Sequence, residues 1–306
     1  MIADKVVYCL NSAAVGDLIA AAPSLKYAIE NFHKNSDYRV GVHEEFKVFF
    51  PFVPEDKFVE VKAEYDKDYT IRHLNMLGVG GRICKLTPSR MNLTHYSCIG
   101  LLARVLSDDQ LKYVPLPKVD ISRYNTDFSK CVVIITTFRD KQRTIPASEI
   151  TKIAEYIQHK GLTPVYVGRT GAISIWKKNL AKTDFEYPGF GLDLRNDTTF
   201  LELATIMGQS KAVVGMDGGP IHLAFTTDVP VVCGFTTIAP EFRIPYRGTA
   251  RTEAVVPSIF CNFCESNWSL NSWDFSKCPR NMEAAECVTK MSSSKFIAAL
   301  NKLRIF

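Results

Sequence analysis

The chain has 306 residues, of which 46% are hydrophobic and 23% are charged, and its formal net charge at pH 7 is +5. This length allows two domains of ordinary size, and the composition excludes a disordered or fibrous protein. No apolar run approaches the roughly 20 residues that cross a bilayer, and the N-terminus lacks a convincing secretory signal. We therefore expect a cytoplasmic protein without a transmembrane segment, and the mild positive charge favours anionic partners.

Strands and helices alternate along the chain. A strand over residues 5–10 leads through the small-residue loop NSAAVG to a helix from Asp17 to about Phe32. A proline-containing polar connection, KYVPLPKVDISRYNTDFSK, then places a domain boundary near residue 125. The second part repeats the rhythm with a strand over 131–137, a helix over 147–159, a strand over 163–167 and a helix over 198–208.

This alternation predicts an α/β fold with parallel sheets covered by helices. We expect two Rossmann-like domains, residues 1–125 and residues 126–306, that face each other across a cleft. Ligands of such open sheets bind where the strands end, so loops that follow strands are expected to line the cleft. A last amphipathic helix over residues 292–303 could cross back onto the first domain.

The segment VVGMDGGPIHLA, residues 213–224, ends a predicted strand and begins a helix. Glycine lets an anion approach the backbone closely, and the N–H groups at a helix N-terminus attract negative charge. Asp217, Gly218, Gly219 and His222 lie in or beside this junction. The segment therefore has the outline of a nucleotide-diphosphate site.

Three motifs in the right order resemble glycosyltransferase family 9, the heptosyltransferase-like enzymes with the GT-B architecture. The late motif D-x-G-x-x-H-x-A matches residues 217–224, and a strand followed by G-x-T and a proline matches residues 231–245. A small-residue loop that ends in GD matches residues 13–23. The resemblance implies inverting, metal-independent transfer of a sugar from a nucleotide-diphosphate sugar to an acceptor hydroxyl.

The resemblance implies that Asp17 is the catalytic base. Inverting sugar transfer needs a group that removes the acceptor proton while the hydroxyl attacks the anomeric carbon. Asp17 follows the first strand, so it is expected to point into the cleft, and Gly16 beside it is assigned to the acceptor site. The alternative for Asp17 is a structural role as a helix cap or dipole partner.

Donor binding is assigned to residues that follow strands of the second domain. Without a metal, amides and cations must stabilise the departing nucleoside diphosphate. The family motif K-x-W-P corresponds here to Arg143 ahead of Pro146, with Ile145 in place of tryptophan, and arginine binds phosphate bidentately. The donor set is Arg139, Lys141, Arg143, Gly168, Arg169, Asp217, Gly218, Gly219 and His222.

Alternatives stay open within this donor set. The basic residues 139–143 could form a solvated loop, and Asp217 could cap a helix instead of accepting hydrogen bonds from sugar hydroxyls. His222 would donate to a diphosphate oxygen, although a lone histidine is more often a packed residue. Gly218 replaces the hydroxyl residue of many relatives, which removes one phosphate contact.

The acceptor is expected to bind mainly to the first domain. Residues 71–107 contain no acidic residue, and Arg72, Arg82 and Arg90 in this stretch are assigned to an anionic acceptor. Family resemblance favours the lipopolysaccharide core, and the alternative is DNA with a hydroxylated base that flips from the stack. The stretch could also be a basic surface without a ligand.

Two further functional hypotheses belong to other classes. One is a related GT-B enzyme that cleaves or epimerises a nucleotide sugar without an acceptor. The other is a non-catalytic binding module that retains the phosphate turn.

A cysteine cluster near the C-terminus is the remaining feature. The chain has nine cysteines, and four of them are close in sequence: Cys261, Cys264, Cys278 and Cys287. The first two form a C-x2-C pair, which is typical of structural zinc, and many family members carry such a cluster. Zinc, reduced thiols and a disulfide are all left open, and no cofactor is expected for catalysis.

Overall fold

The structure is a computed structural model, and the residues that it describes are 5–10, 14–33, 36–62, 68–74, 92–138, 141–169, 171–172, 180–181, 184–259, 261–264, 278 and 286–306.

The first sheet has four parallel strands in the order β3-β2-β1-β4. The strands are β1 (Lys5–Cys9), β2 (Asp37–Gly41), β3 (Phe58–Val59) and β4 (Thr70–His73). Among its described residues, two α-helices accompany this sheet and pack on each other: α1 (Val15–Phe32) and α2 (Leu93–Leu102). The central strand β1 reads KVVYC, and its last four residues are all buried, as expected for a parallel strand with both faces covered.

The second sheet has six parallel strands in the order β12-β11-β10-β5-β6-β9. They are β5 (Cys131–Ile135), β6 (Thr163–Val167), β9 (Leu192–Asp193), β10 (Ala212–Met216), β11 (Val231–Gly234) and β12 (Thr252–Val255). A separate antiparallel pair comprises β7 (Gly171–Ala172) and β8 (Leu180–Ala181). The helices of this half are α3 (Ala147–His159), α4 (Phe200–Gln209), α5 (Gly219–Phe225), α6 (Pro240–Arg243), α7 (Glu286–Thr289) and α8 (Ser293–Lys302).

The strand order explains where ligands can bind. The second sheet has the order of a six-stranded Rossmann sheet, in which the direction of winding changes between β5 and β10. In the first sheet the same change occurs between β1 and β4. Crevices open at the carboxyl ends of strands at these points, so the loops after β1, β5 and β10 are the candidates for a site. The predicted α/β class, with two Rossmann-like halves, is confirmed.

The two halves share one hydrophobic core. Buried residues of both sheets belong to a single continuous cluster. At their boundary, Phe46 and Phe49 lie against Phe200 at the start of α4, with ring centroids 6.3 Å and 5.0 Å apart. The predicted boundary near residue 125 falls in the connection between α2 and β5.

The last helix, α8, packs on the second half of the protein and not on the first. Phe296 and Leu300 of α8 are buried in a cluster of the second half, and α8 packs on α3, β11 and β12. Glu149 of α3 also accepts a 2.6 Å hydrogen bond from the N–H of Ser293. The expectation that this helix crosses back onto the first domain is therefore wrong, because its apolar stripe completes the second core. Among the described helices, none is long and apolar enough to cross a membrane.

Candidate active site

The early and late sequence motifs touch each other. A Cβ added to Gly16, near the start of α1, would lie 2.7 Å from Cδ2 of His222 in α5. A Cβ added to Gly219 would lie 3.1 Å from Cβ of Val15. Contacts this short leave no room for a larger residue at position 16 and little at position 219. The two motifs therefore form one junction, which lies at the carboxyl ends of β1 and β10.

Asp217 is the centre of a buried group of charges at this junction. Its side chain is only 6% exposed, and its Oδ2 lies 3.6 Å from Nη1 of Arg143 and 3.5 Å from Nε of Arg243. Its Oδ1 lies 3.7 Å from Nε2 of His222. Burial alone would raise the pKa of Asp217, but Arg243, His222 and Arg143 together hold that pKa well below its usual range. Asp217 is therefore ionised, and it does not cap α5, whose N-cap residue is Gly218 without a side-chain cap.

Two arginines come to this carboxylate from different loops. Arg143 follows β5 and donates from Nε to Oγ1 of Thr237 over 3.2 Å, whereas Arg243 lies in α6 after β11. Within the described part of the chain, neither Asp217 Oδ2 nor Arg243 Nε makes a hydrogen bond. Two guanidinium groups thus share one carboxylate, and the excess positive charge suits a bound diphosphate.

The imidazole of His222 links this group to the connection between the two halves. Its Nδ1 lies 2.7 Å from Oη of Tyr113, and both side chains are buried. Burial raises the pKa of Tyr113 well above its usual value; the charge of Arg243 opposes this effect, and those of Asp17 and Asp217 add to it. The carboxylates of Asp17 and Asp217 therefore both raise the pKa of the Tyr113 hydroxyl.

Asp17 is half-buried in the first turn of α1. The N-cap residue of α1 is Ala14, whose own side chain makes no capping hydrogen bond. Asp17 is therefore not the N-cap residue, and its place in the first turn also suits a partner of the helix dipole. Its position after β1, beside the Gly16 contact with His222, places this carboxylate next to the buried charges around Asp217.

The other predicted site residues are distributed as follows. Arg169 is exposed at the end of β6, and Arg72 lies in the edge strand β4, opposite Tyr8. A Cβ on Gly218 would meet nothing closer than 3.8 Å, so the hydroxyl residue of relatives would fit there. Arg82, Arg90 and Arg139 lie outside the described residues, as does the side chain of Lys141.

Arg243 and Tyr113 belong to the site but were missed in the sequence. Arg243 lies in the segment 231–245 that carries the family resemblance, so an arginine soon after the G-x-T motif was the available signal. Tyr113 lies in the segment that was interpreted as an interdomain connection, and no local pattern distinguishes it.

Gly168 has a packing role that does not depend on a ligand. Its φ is +144°, and a Cβ there would lie 2.2 Å from Oγ1 of Thr137, which also accepts from the N–H of Arg169 over 3.2 Å. We expect Gly168→Ala to lower the free energy of unfolding by about 2 to 4 kcal/mol, through backbone strain and overpacking. Chemical denaturation would measure this loss.

Gly161→Ala is the matched control for that experiment. Gly161 also has a positive φ, +76°, but nothing lies within 4 Å of its added Cβ. Its substitution should cost only the strain of the backbone, about 1 kcal/mol. Equal losses for the two variants would contradict the packing role of Gly168.

The four C-terminal cysteines lie near one another. Burial, together with the neighbouring Cys264, Cys261 and Cys278, raises the pKa of Cys287 to about 11. No disulfide joins these four described cysteines. Among the described residues, no three His, Cys, Asp or Glu side chains are arranged as a metal site. The disulfide alternative is therefore not what the structure shows.

Comparisons with known proteins agree with the family resemblance of the motifs that form the site. Residues 107–257 match the model of glycosyltransferase family 9 (heptosyltransferase). The chain is also similar to solved structures at low sequence identity. For the iron-containing dodecameric glycosyltransferase TibC from enterotoxigenic E. coli, the TM-score is 0.74 at 16% identity, over 99% of this chain and 77% of that chain.

Two other structures extend this similarity. A family 9 glycosyl transferase from Veillonella parvula gives a TM-score of 0.66 at 13% identity, over 99% of this chain and 98% of that one. E. coli ADP-heptose lipopolysaccharide heptosyltransferase II gives 0.54 at 11% identity, over 97% and 98%. No curated protein matches the chain in sequence. Residues 107–257 therefore form a glycosyltransferase family 9 domain, the chain has the GT-B fold, and the protein is a glycosyltransferase that uses a nucleotide sugar.

Proposed function

We propose that this enzyme transfers a heptose from ADP-heptose to a hydroxyl of an anionic saccharide of the lipopolysaccharide core, with inversion at the anomeric carbon. The observation that carries the proposal is the contact between the two motifs, in which Gly16 meets His222. It brings the loop of the proposed base and the turn of the proposed donor site together. The heptose donor is supported by the structure of TibC in complex with ADP-D-beta-D-heptose.

Asp17 acts as the general base in this mechanism. Its carboxylate takes the proton of the acceptor hydroxyl while that oxygen forms a bond to the anomeric carbon. The bond between the anomeric carbon and the diphosphate oxygen breaks at the same time, and its electron pair stays with the departing ADP. Attack from the face opposite the leaving group produces the inversion.

The leaving diphosphate is stabilised by the charges around Asp217. The guanidinium groups of Arg143 and Arg243 face the negative charge that develops on the phosphate oxygens, and they are already held in place before the reaction. His222 donates from the same junction. Because these cations and hydrogen-bond donors stabilise the negative charge of the leaving diphosphate, the proposed transfer step uses no metal ion.

The acceptor approaches from the first half of the protein. Asn92, at the start of α2, donates from Nδ2 to the carbonyl oxygen of Ile244 over 3.3 Å. Ile244 follows Arg243, so the end of the basic stretch is attached beside the site. Arg72, Arg82 and Arg90 of that stretch provide positive charge for a phosphorylated core saccharide.

The test is a reaction of purified protein with ADP-heptose and a heptose-acceptor fragment of the lipopolysaccharide core. We expect ADP release only when the acceptor is present, together with a gain of one heptose mass by that acceptor in mass spectrometry. Parallel reactions offer other nucleotide sugars and hydroxymethylated DNA. Release of ADP without an acceptor, or a mass gain on DNA alone, would contradict the proposal.

We further propose that Cys261, Cys264, Cys278 and Cys287 hold a structural iron or zinc ion, toward which their side chains turn from the arrangement in this structure, where these four described residues do not form a metal site. Cys264, Cys261 and Cys278 all lie close enough to raise the pKa of Cys287, four neighbouring thiols are a donor set for a soft metal cation, and TibC is iron-containing. The segments that contain these cysteines also contact loops of the proposed donor site. Phe263 donates its N–H to the carbonyl oxygen of Thr236 over 2.8 Å, and α7, which contains Cys287, packs against the turn of Arg143.

Elemental analysis of the purified protein should find about one iron or zinc ion per chain. Cys287→Ser should remove most of this metal, lower the melting temperature and raise the donor KM, because the loop of Arg143 loses its support. Cys98→Ser is the control, since Cys98 is buried within α2 and donates to the carbonyl oxygen of Arg104. Metal content that is zero in the wild type, or unchanged in Cys287→Ser, would refute a metal site at these thiols.

A further inference from the structure

Three neighbouring residues pack around the imidazole ring of His222. Nδ1 faces Tyr113 at 2.7 Å, the Cδ2 edge lies against Gly16, and the ring of Phe225 packs at a right angle to it, with centroids 5.8 Å apart. Only Nε2 faces the charged group, 3.7 Å from Oδ1 of Asp217. The ring therefore has one orientation, and the open question is which nitrogen has the proton.

The environment of Tyr113 answers this question. The phenol is completely buried and lies close to Asp17 and Asp217, so it remains protonated. A phenol can donate or accept, but Nε2 of His222 faces the carboxylate oxygen Oδ1 of Asp217 at 3.7 Å, so the arrangement that suits both contacts has Tyr113 donating its hydrogen to Nδ1. In a neutral imidazole the proton must then be on Nε2, because the hydrogen bond at one nitrogen fixes the proton on the other.

We propose that Tyr113 is a positioning residue that holds His222 in the tautomer with its proton on Nε2, aimed at the donor diphosphate. Without this hydroxyl, His222 is free to carry its proton on Nδ1, and it then presents a lone pair to a negatively charged leaving group. The use of His222 on the donor rests on the proposed function. The tautomer itself does not, since it follows from contacts within the chain.

The first test reads the tautomer directly. In ¹⁵N-histidine-labelled protein, the chain gives signals from six histidines, and the one that disappears in His222→Gln is His222. We expect the pattern of an Nε2-protonated ring in the wild type and a shift toward Nδ1 protonation in Tyr113→Phe. An Nδ1-protonated ring in the wild type, or an unchanged pattern in Tyr113→Phe, overturns the proposal whether or not the enzyme uses ADP-heptose.

The second test separates positioning from structural support. Tyr8 offers a matched control, because its buried hydroxyl also bonds a histidine, with 2.8 Å between Oη and Nε2 of His33. Tyr113→Phe and Tyr8→Phe each remove one such bond, and similar falls in melting temperature are expected. Only Tyr113→Phe should lower kcat, by about 10- to 100-fold, with little change in the donor KM. Equal effects of both variants on kcat would overturn the proposal.

A double variant links the effect to His222. The side-chain amide of glutamine donates hydrogen bonds without a choice of tautomer, so Tyr113→Phe should have no further effect on kcat in the His222→Gln background. A full additional loss of 10-fold or more would show that Tyr113 acts by another route. If no sugar transfer is found with any donor, the proposed function fails, and the labelling experiment alone decides the tautomer.

Discussion

Asp17→Asn is expected to lower kcat by about 100- to 10,000-fold while leaving the melting temperature nearly unchanged. Asparagine has the shape of aspartate but does not accept the acceptor proton at neutral pH. The N-cap residue of α1 is Ala14 rather than Asp17, and asparagine keeps a side-chain oxygen that can accept a backbone hydrogen bond in the first turn. Steady-state rates of ADP release with donor and acceptor measure the effect, and circular dichroism measures the fold.

Glu202→Gln is a useful control for this result. Glu202 also lies in the first turn of a helix, but it belongs to a capping box with Thr199 and pairs with Arg123 at 2.8 Å on the far side of α4. We expect a lower melting temperature and an unchanged kcat. Near wild-type turnover of Asp17→Asn would exclude Asp17 as the base.

Asp217→Asn is expected to reduce the free energy of unfolding at pH 7 by about 3 kcal/mol. The substitution leaves Arg143 and Arg243, each with only 14% of the side chain exposed, without their common countercharge. Urea denaturation measures the difference from the wild type. The donor KM should also rise, because the two guanidinium groups lose the anchor that orients them.

The same variant makes a prediction about pH. The pKa of Asp217 is lower in the folded protein than its usual value near 3.9. The carboxylate therefore contributes its full stability above about pH 5, and this contribution is lost as the pH falls below about 4 toward the folded pKa. The difference in unfolding free energy between wild type and Asp217→Asn should be constant from pH 5 to 7 and smaller at pH 3.5. A constant difference down to pH 3.5 would mean that Asp217 is not held ionised by the arginines.

The fold and half of the site follow from local patterns, and the remainder depends on long-range contacts. Strands such as CVVII (Cys131–Ile135) and the cap at Thr199 are encoded within a few residues, so the alternation of elements was predictable. Asp217 directly follows β10, and Asp17 comes after the loop that follows β1, which places both near the edge of a sheet. Arg243 is recognisable only once Asp217 is seen beside it.

Tyr113 and the last helix show more clearly which features could not be predicted from the sequence. The hydroxyl of Tyr113 reaches a histidine 109 positions later, and sequence spacing contains no information about such a pair. The amphipathic pattern of Ser293–Lys302 correctly predicts a helix with one buried face, but it does not specify which sheet receives that face. The helix packs on α3, β11 and β12 of the second half.

The shared core between the halves limits how this enzyme can be recombined. Two Rossmann-like halves suggest the construction of chimeras, in which one half of this enzyme is joined to the other half of a relative. Here a foreign donor half would have to present an aromatic residue to Phe46 and Phe49, and an imidazole that fits against a bare glycine at position 16. The proposed donor half is thus tied to the other half through packing, and an exchange between relatives requires that the facing residues be transplanted together.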